Sequence, residues 1–120
     1  MPHLTLEYSD NLPRFDADGM LLDLNKTLVA SGHFDEIDIK SRAVRFGTFL
    51  VGTEVEGRGF LHVKLALLSG RSTEAKRALS EGLLRVLEHA QEPTAGVHVQ
   101  LCVEIQEIDR DTYVKASVAP

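Results

Sequence analysis

The chain has 120 residues, 43% of them hydrophobic and 26% charged, which is ordinary for one soluble globular domain. Its net charge of −5 argues against a nucleic-acid partner, and no apolar run approaches the roughly 18 residues that span a membrane. A single cysteine, Cys102, excludes an internal disulfide framework and a thiolate zinc site, so we expect a cytoplasmic protein.

The first half of the chain predicts a strand, a helix and a second strand. Residues 3–8 alternate between apolar and polar side chains, as a half-buried strand does. Residues 16–31 carry apolar side chains at helical spacing, and Gly32 follows where a C-terminal cap belongs. The alternation then returns, which predicts a second strand over 37–50.

The second half repeats this order. A strand is predicted over Phe60–Leu68, and a helix runs from Ser72 to about Ala90, with Ser72 well suited as its N-cap. The strand predicted over Val97–Ile105 has the cleanest alternation in the chain.

Two consecutive β-α-β units predict an α+β fold with a four-stranded mixed sheet and two helices on one face. We expect one domain over residues 1–120, with halves of nearly equal length at about 2–50 and 59–108. The other face of the sheet would carry a mixture of polar and apolar side chains. We expect another copy of the chain to cover part of that face.

The stretch LLSGRSTEA (67–75) joins a strand to a helix through a glycine turn. The helix start suits an anion, and Arg71 adds a planar guanidinium that can hold a carboxylate through two hydrogen bonds. It is not a phosphate-binding loop, because the required glycine and lysine spacing is absent. A well-capped helix beside a solvated arginine explains the same residues.

Lys40 and Arg42 form a second basic cluster in the stretch IKSRAVR. Two residues apart on a strand, they share one face at a separation of about 7 Å. Such a pair could hold a carboxylate or polarise a carbonyl oxygen. Charged residues that protect an edge strand from aggregation give the same pattern.

Pro2 precedes the first strand directly. If Met1 is removed, Pro2 carries a secondary amine, and burial or nearby arginines would lower its pKa towards neutrality. An amine with such a pKa suits proton transfer. The alternative is a proline that merely begins an edge strand, where it is tolerated.

Taken together, these residues resemble the tautomerase superfamily and, within it, the 5-carboxymethyl-2-hydroxymuconate Δ-isomerases of homoprotocatechuate catabolism. The resemblance runs nearly from end to end of the chain. It is carried by the stretches PHLTLEYSDN (2–11), LNKTLVASGHF (24–34), IKSRA (39–43), HVKLALLSGRS (62–72) and VQLCVEIQEID (99–109).

The resemblance implies that Pro2 is the catalytic acid/base, and that Lys40, Arg42 and Arg71 bind substrate. The reaction would be a 1,3 keto–enol proton shift on a small carboxylated dienol, without a metal or organic cofactor. It also implies a homotrimer with sites at subunit boundaries. Members of the family tend to have Arg-Ser-Arg where this chain has Lys40-Ser41-Arg42, and lysine keeps the charge but lacks the two-pronged guanidinium.

Two other interpretations of the function remain. The same fold and proline could serve a tautomerase that acts on another small carboxylated enol. The chain could also be a non-catalytic trimeric module in which the proline chemistry is lost.

Overall fold

The computed structural model describes residues 1–90 and 96–120. Within them, two β-α-β units follow each other along the chain. Their elements are β1 (His3–Ser9), α1 (Ala17–Ala30), a 3₁₀ turn (Glu36–Asp38), β2 (Lys40–Phe46), β3 (Arg58–Leu68), α2 (Thr73–Ala90) and β4 (His98–Ile108). Among the described residues, no helix is both long enough and apolar enough to span a membrane.

The four strands form one mixed sheet in the order β2-β1-β3-β4. Each unit contributes a parallel pair, β1 with β2 and β3 with β4. The two units meet in the middle, where β1 pairs antiparallel with β3. This confirms the predicted α+β fold. The first unit runs over 3–46 and the second over 58–108, and residues 91–95 of the second lie outside the described residues.

Both helices pack on one face of the sheet. Alternate residues of β1 and β3 are fully buried beneath them, which is why these strands alternate in sequence. The apolar stripes of the helices supply the other half of the core. The buried side chains include Leu4, Leu6, Leu61, Val63, Leu65 and Leu67 from the strands, and Met20, Leu24, Leu28, Leu79, Leu83 and Leu87 from the helices.

The strand predicted over 37–50 is wrong at both ends. Glu36–Asp38 forms a 3₁₀ turn, in which the Asp38 N–H donates to the Asp35 carbonyl over 3.0 Å. The strand itself covers Lys40–Phe46, because it pairs residue for residue with the seven residues of β1. An edge strand is limited by the length of the neighbour that supplies its hydrogen bonds.

The sheet face opposite the helices, here called the open face, is covered by no helix among the described elements. Polar side chains pair across its centre. His62 Nε2 lies 2.9 Å from a Glu104 carboxylate oxygen, and Lys64 Nζ lies 3.2 Å from Glu7. The open face thus has the mixed polar character expected of it.

Candidate active site

A cleft lies where β1 begins and β3 ends. The antiparallel register puts His3 opposite Ala66, so the start of the chain meets the turn that leads into α2. The loop between α1 and β2 and the segment after β4 close its sides. The cleft has a volume of about 270 Å³ and is lined by Met1, Gly32, His33, Phe34, Asp35, Asp38, Leu67, Leu68, Arg71 and Arg110. Its volume lies just below the roughly 300–1,000 Å³ of drug-sized sites, so it suits a small molecule.

Pro2 is fully buried at the edge of this cleft. Its carbonyl accepts a hydrogen bond from the Lys40 backbone N–H at 3.1 Å, which fixes the start of β1 against β2. Because proline has no N–H, burial leaves no donor without a partner. With Met1 in place the Pro2 nitrogen is an amide, and Met1 rather than Pro2 lines the cleft.

The Met1 ammonium lies in surroundings that disfavour its charge. It donates to the Asp38 carbonyl at 3.3 Å. Burial lowers the pKa of this amine below its ordinary value, and the nearby Lys40 and Lys115 lower the pKa further. An amine at this end of β1 is therefore pushed towards its neutral, basic form.

Arg71 projects into the cleft from the turn between β3 and α2. Its guanidinium lies over the ring of Phe34, 4.9 Å from the ring centroid. Its Nη atoms donate to the carbonyls of Leu68 and His33 over 3.5 and 3.4 Å, which are long hydrogen bonds. The side chain is thus positioned on the aromatic ring, while its donors are only weakly engaged.

Lys40 and Arg42 share the open face, as predicted, but neither lines the cleft of its own chain. Lys40 Nζ donates to the Asp38 carbonyl at 2.7 Å, the same oxygen that accepts from the Met1 ammonium. Arg42 Nη2 lies 2.9 Å from His3 Nδ1. The described chain therefore brings Arg71 together with the chain start, places Lys40 beside them, and holds Arg42 apart.

His3 links Arg42 to the C-terminal segment. Because arginine only donates, His3 Nδ1 must accept, which leaves the proton of the neutral ring on Nε2. That N–H points to the Tyr113 hydroxyl at 3.1 Å. Burial lowers the pKa of His3, and the charges of Arg42 and Lys40 lower it further, so the neutral ring is favoured.

Sequence reasoning missed Arg110, Asp38 and Phe34. Arg110 follows β4 and reaches the cleft because the end of β4 pairs with the end of β3, at Leu68 and Ile108. That register is a property of the folded sheet, and spacing along the chain gave no signal for it. Asp38 forms an ion pair with Lys115, which holds the pKa of this carboxyl below its usual value.

The fold defines the class of the protein. Two β-α-β units that meet antiparallel, with both helices on one face, form the fold of the tautomerase superfamily. The structure described as the Q0 fused 4-OT wild type symmetric trimer shares it, with a TM-score of 0.74 and 19% identity over 95% of this chain and 91% of that one. The chain belongs to the 5-carboxymethyl-2-hydroxymuconate isomerase family, whose sequence model matches residues 2–119. It is therefore an isomerase.

Two relatives are similar over most of their length. The chain is 32% identical to the 5-carboxymethyl-2-hydroxymuconate Delta-isomerase of Escherichia coli over 90 residues, which are 73% of this chain and 71% of that protein. It is 33% identical to a 5-carboxymethyl-2-hydroxymuconate isomerase from Deinococcus radiodurans R1. That crystal structure matches with a TM-score of 0.84 over 98% of this chain and 90% of the other.

Proposed function

We propose that this isomerase catalyses a 1,3 keto–enol proton shift on 5-carboxymethyl-2-hydroxymuconate in homoprotocatechuate catabolism. The observation that carries the proposal is the shared cleft, in which Arg71 faces the first residue of the chain. The names of the Escherichia coli and Deinococcus relatives support the substrate. The single cysteine is compatible with a cytoplasmic location.

Pro2 acts as the acid/base in this proposal, after Met1 has been removed. Its secondary amine would lie next to the position of the Met1 ammonium, whose pKa is lowered by burial and by the nearby Lys40 and Lys115. The same causes would lower the pKa of a proline amine close by. The free amine takes the proton of the 2-hydroxyl, the carbonyl forms, and the proline ammonium returns one proton to carbon. Substrate and product have the same composition, so no other reactant is needed.

The cations hold the substrate carboxylates and stabilise the negative charge that develops on oxygen. Arg71 does so from the cleft of its own chain. Lys40 and Arg42 lie on the open face, so we assign them to substrate binding through a homotrimer with sites at subunit boundaries. The half-polar open face and the trimeric relative of the same fold support that assembly.

The experiment is a kinetic comparison of wild type, Pro2→Ala and Arg71→Ala after the intact mass has shown that Met1 is absent. Pro2→Ala is expected to lower kcat/KM on the order of 10²-fold or more, because general acid/base catalysis contributes about 10²–10⁴-fold. Arg71→Ala is expected to lower it on the order of 10²-fold, because it removes a donor that stabilises the developing negative charge. Arg77→Ala is the matched control, because Arg77 is exposed on α2, and it should keep wild-type rates. Circular dichroism checks that all three variants are folded.

Wild-type rates in both site variants would refute the proposed mechanism. If wild type instead prefers another carboxylated enol, such as a phenylpyruvate-like enol, the mechanism stands and the substrate changes. A processed wild type that turns over neither substrate would support the non-catalytic trimeric module.

A further inference from the structure

Arg110 presents a second guanidinium to the cleft, and the mechanism above does not use it. The residue lies directly beyond β4, and its side chain lines the cleft together with Arg71. Two arginines from different parts of the chain thus face one cavity of about 270 Å³. The two positive charges repel each other when they face one small cavity, so an anion bound there would offset that repulsion.

The turn at Ser69 and Gly70 fixes the base of the Arg110 side chain. Arg110 Nε donates to the Ser69 carbonyl at 3.0 Å, and the Arg110 backbone N–H donates to the Ser69 hydroxyl at 3.4 Å. Gly70 has a φ of 121°, and a Cβ built there would lie 3.6 Å from Arg110 Nη2. The positive φ favours glycine at this turn, and the Arg110 guanidinium lies within van der Waals reach of it.

The terminal Nη atoms of Arg110 make no hydrogen bond to any of the described residues, and no carboxylate pairs with it there. An arginine anchored through Nε keeps its two terminal amino groups free to hold a carboxylate. The Nε side of the Arg110 guanidinium is thus fixed by Ser69, while its terminal amino groups are available to a ligand.

The charges that face the cleft favour an anion. The cleft is lined by two arginines, Arg71 and Arg110, and by two carboxylates, Asp35 and Asp38. Asp38 is already neutralised by Lys115. The excess positive charge lies on the side formed by the β3–α2 turn and the segment after β4.

The chemistry of the proposed substrate calls for more than one cation. Muconate is a dicarboxylate, and the carboxymethyl group adds a third carboxylate. We propose that Arg110 binds a second carboxylate of the substrate, opposite the one held by Arg71, and so selects polycarboxylated enols over enols with one carboxylate. This inference rests on the proposed function of the cleft and adds a residue to it.

The test combines binding with kinetics in the processed protein. Calorimetric titration with propane-1,2,3-tricarboxylate and with propionate measures affinity without turnover, and KM and kcat are measured on 5-carboxymethyl-2-hydroxymuconate. Arg110→Gln is expected to weaken tricarboxylate binding and to raise KM by about 10- to 100-fold, the range for a lost charge-assisted contact. Its kcat is expected to stay within about threefold of wild type, and propionate binding is expected to change by less than about twofold.

Arg77→Gln is the control for a general loss of positive charge, because Arg77 is exposed on α2. Tricarboxylate affinity and KM near wild type in Arg110→Gln would overturn the inference, and so would an equal loss for propionate or in Arg77→Gln. Wild-type turnover decides the proposed function separately. A protein without turnover that still loses tricarboxylate affinity in Arg110→Gln would keep Arg110 as an anion-binding residue and refute only the reaction.

Discussion

His3 has an arginine on one ring nitrogen and a tyrosine hydroxyl on the other. Its pKa is lowered by burial and then by Arg42, so the folded protein binds a proton at His3 less readily than the unfolded chain does. As pH falls through the unfolded value of about 6.5, the unfolded state gains a proton that the folded state resists. The contribution of His3 to stability therefore decreases as the solution becomes more acidic.

Replacing the histidine should remove this pH dependence. In His3→Gln the amide can still accept from Arg42 but does not titrate, so its free energy of unfolding should fall less than that of wild type between pH 8 and pH 5. Denaturant unfolding at one protein concentration measures the difference. Arg42→Gln removes the second cause of the lowered His3 pKa. Its free energy of unfolding should therefore fall between pH 8 and pH 5 by an amount between those of wild type and His3→Gln. Identical slopes in wild type and His3→Gln would contradict this account.

At the scale of single elements, the start of α1 depends on an unusual pair. The Asp16 side chain caps the helix by accepting from the Gly19 N–H at 3.0 Å. A Cβ on Gly19 would lie 2.3 Å from an Asp16 carboxylate oxygen, so any larger residue must displace the cap. The glycine that weakens the first turn of the helix is therefore also what lets the aspartate close it.

The contact between Asp16 and Gly19 predicts that substitutions at these two positions have non-additive effects on the free energy of unfolding. Gly19→Ala should change the free energy of unfolding by less than about 0.5 kcal/mol, because about 1 kcal/mol of gained helix propensity is offset by about 1 kcal/mol of lost capping. In the Asp16→Ala background, Gly19→Ala should stabilise by about 1 kcal/mol. Gly82→Ala in α2 is the matched control and should gain about 1 kcal/mol by itself, since its Cβ would meet Thr27 at an ordinary 3.6 Å. Equal effects of Gly19→Ala in both backgrounds would contradict the coupling.

Element order and helix ends were predictable from the sequence because their causes are local. Asp16 and Ser72 cap the two helices, and Gly32 adopts a φ of 78° after the first of them. The bounds of β2 were not predictable in this way, since they depend on the length of β1. Periodicity in one segment carries no information about where its neighbour ends.

The residues of the candidate site also differ in whether their positions depend on local sequence or on strand pairing. Arg71 was found because the turn that positions it is local to the stretch LLSGRSTEA. Arg110 was missed because it reaches the cleft through the β3–β4 register, more than thirty residues later in the chain. The orientation of Arg42 towards His3 likewise depends on the pairing of β1 with β2. Contacts that form through strand pairing cannot be predicted from residue spacing along the chain.

At the scale of the whole molecule, we propose that residues 1–120 act as one domain, since the β1–β3 pair joins the two halves over a common core. The open face leaves apolar surface uncovered at one end. Phe46 and Phe49 pack beside Phe60 there, at centroid distances of 6.4 and 6.0 Å. The adjoining Leu50 is 60% exposed. Apolar surface of this kind, next to paired charges, is typical of an interface.

The proposed homotrimer places this apolar end between subunits. Wild type should therefore have about three times the 13.2 kDa mass of one chain in light scattering. Leu50→Asp should lower that mass, because a carboxylate would lose its hydration in the interface, and it should also lower turnover if Arg42 acts across subunits. Leu22→Asp is the control, since Leu22 is 55% exposed on α1, away from the sheet.

A Leu50→Asp protein that keeps the trimer mass would exclude this end of the open face from the interface. Trimer mass lost together with turnover, in a chain that remains folded, would show that the active site needs more than one subunit.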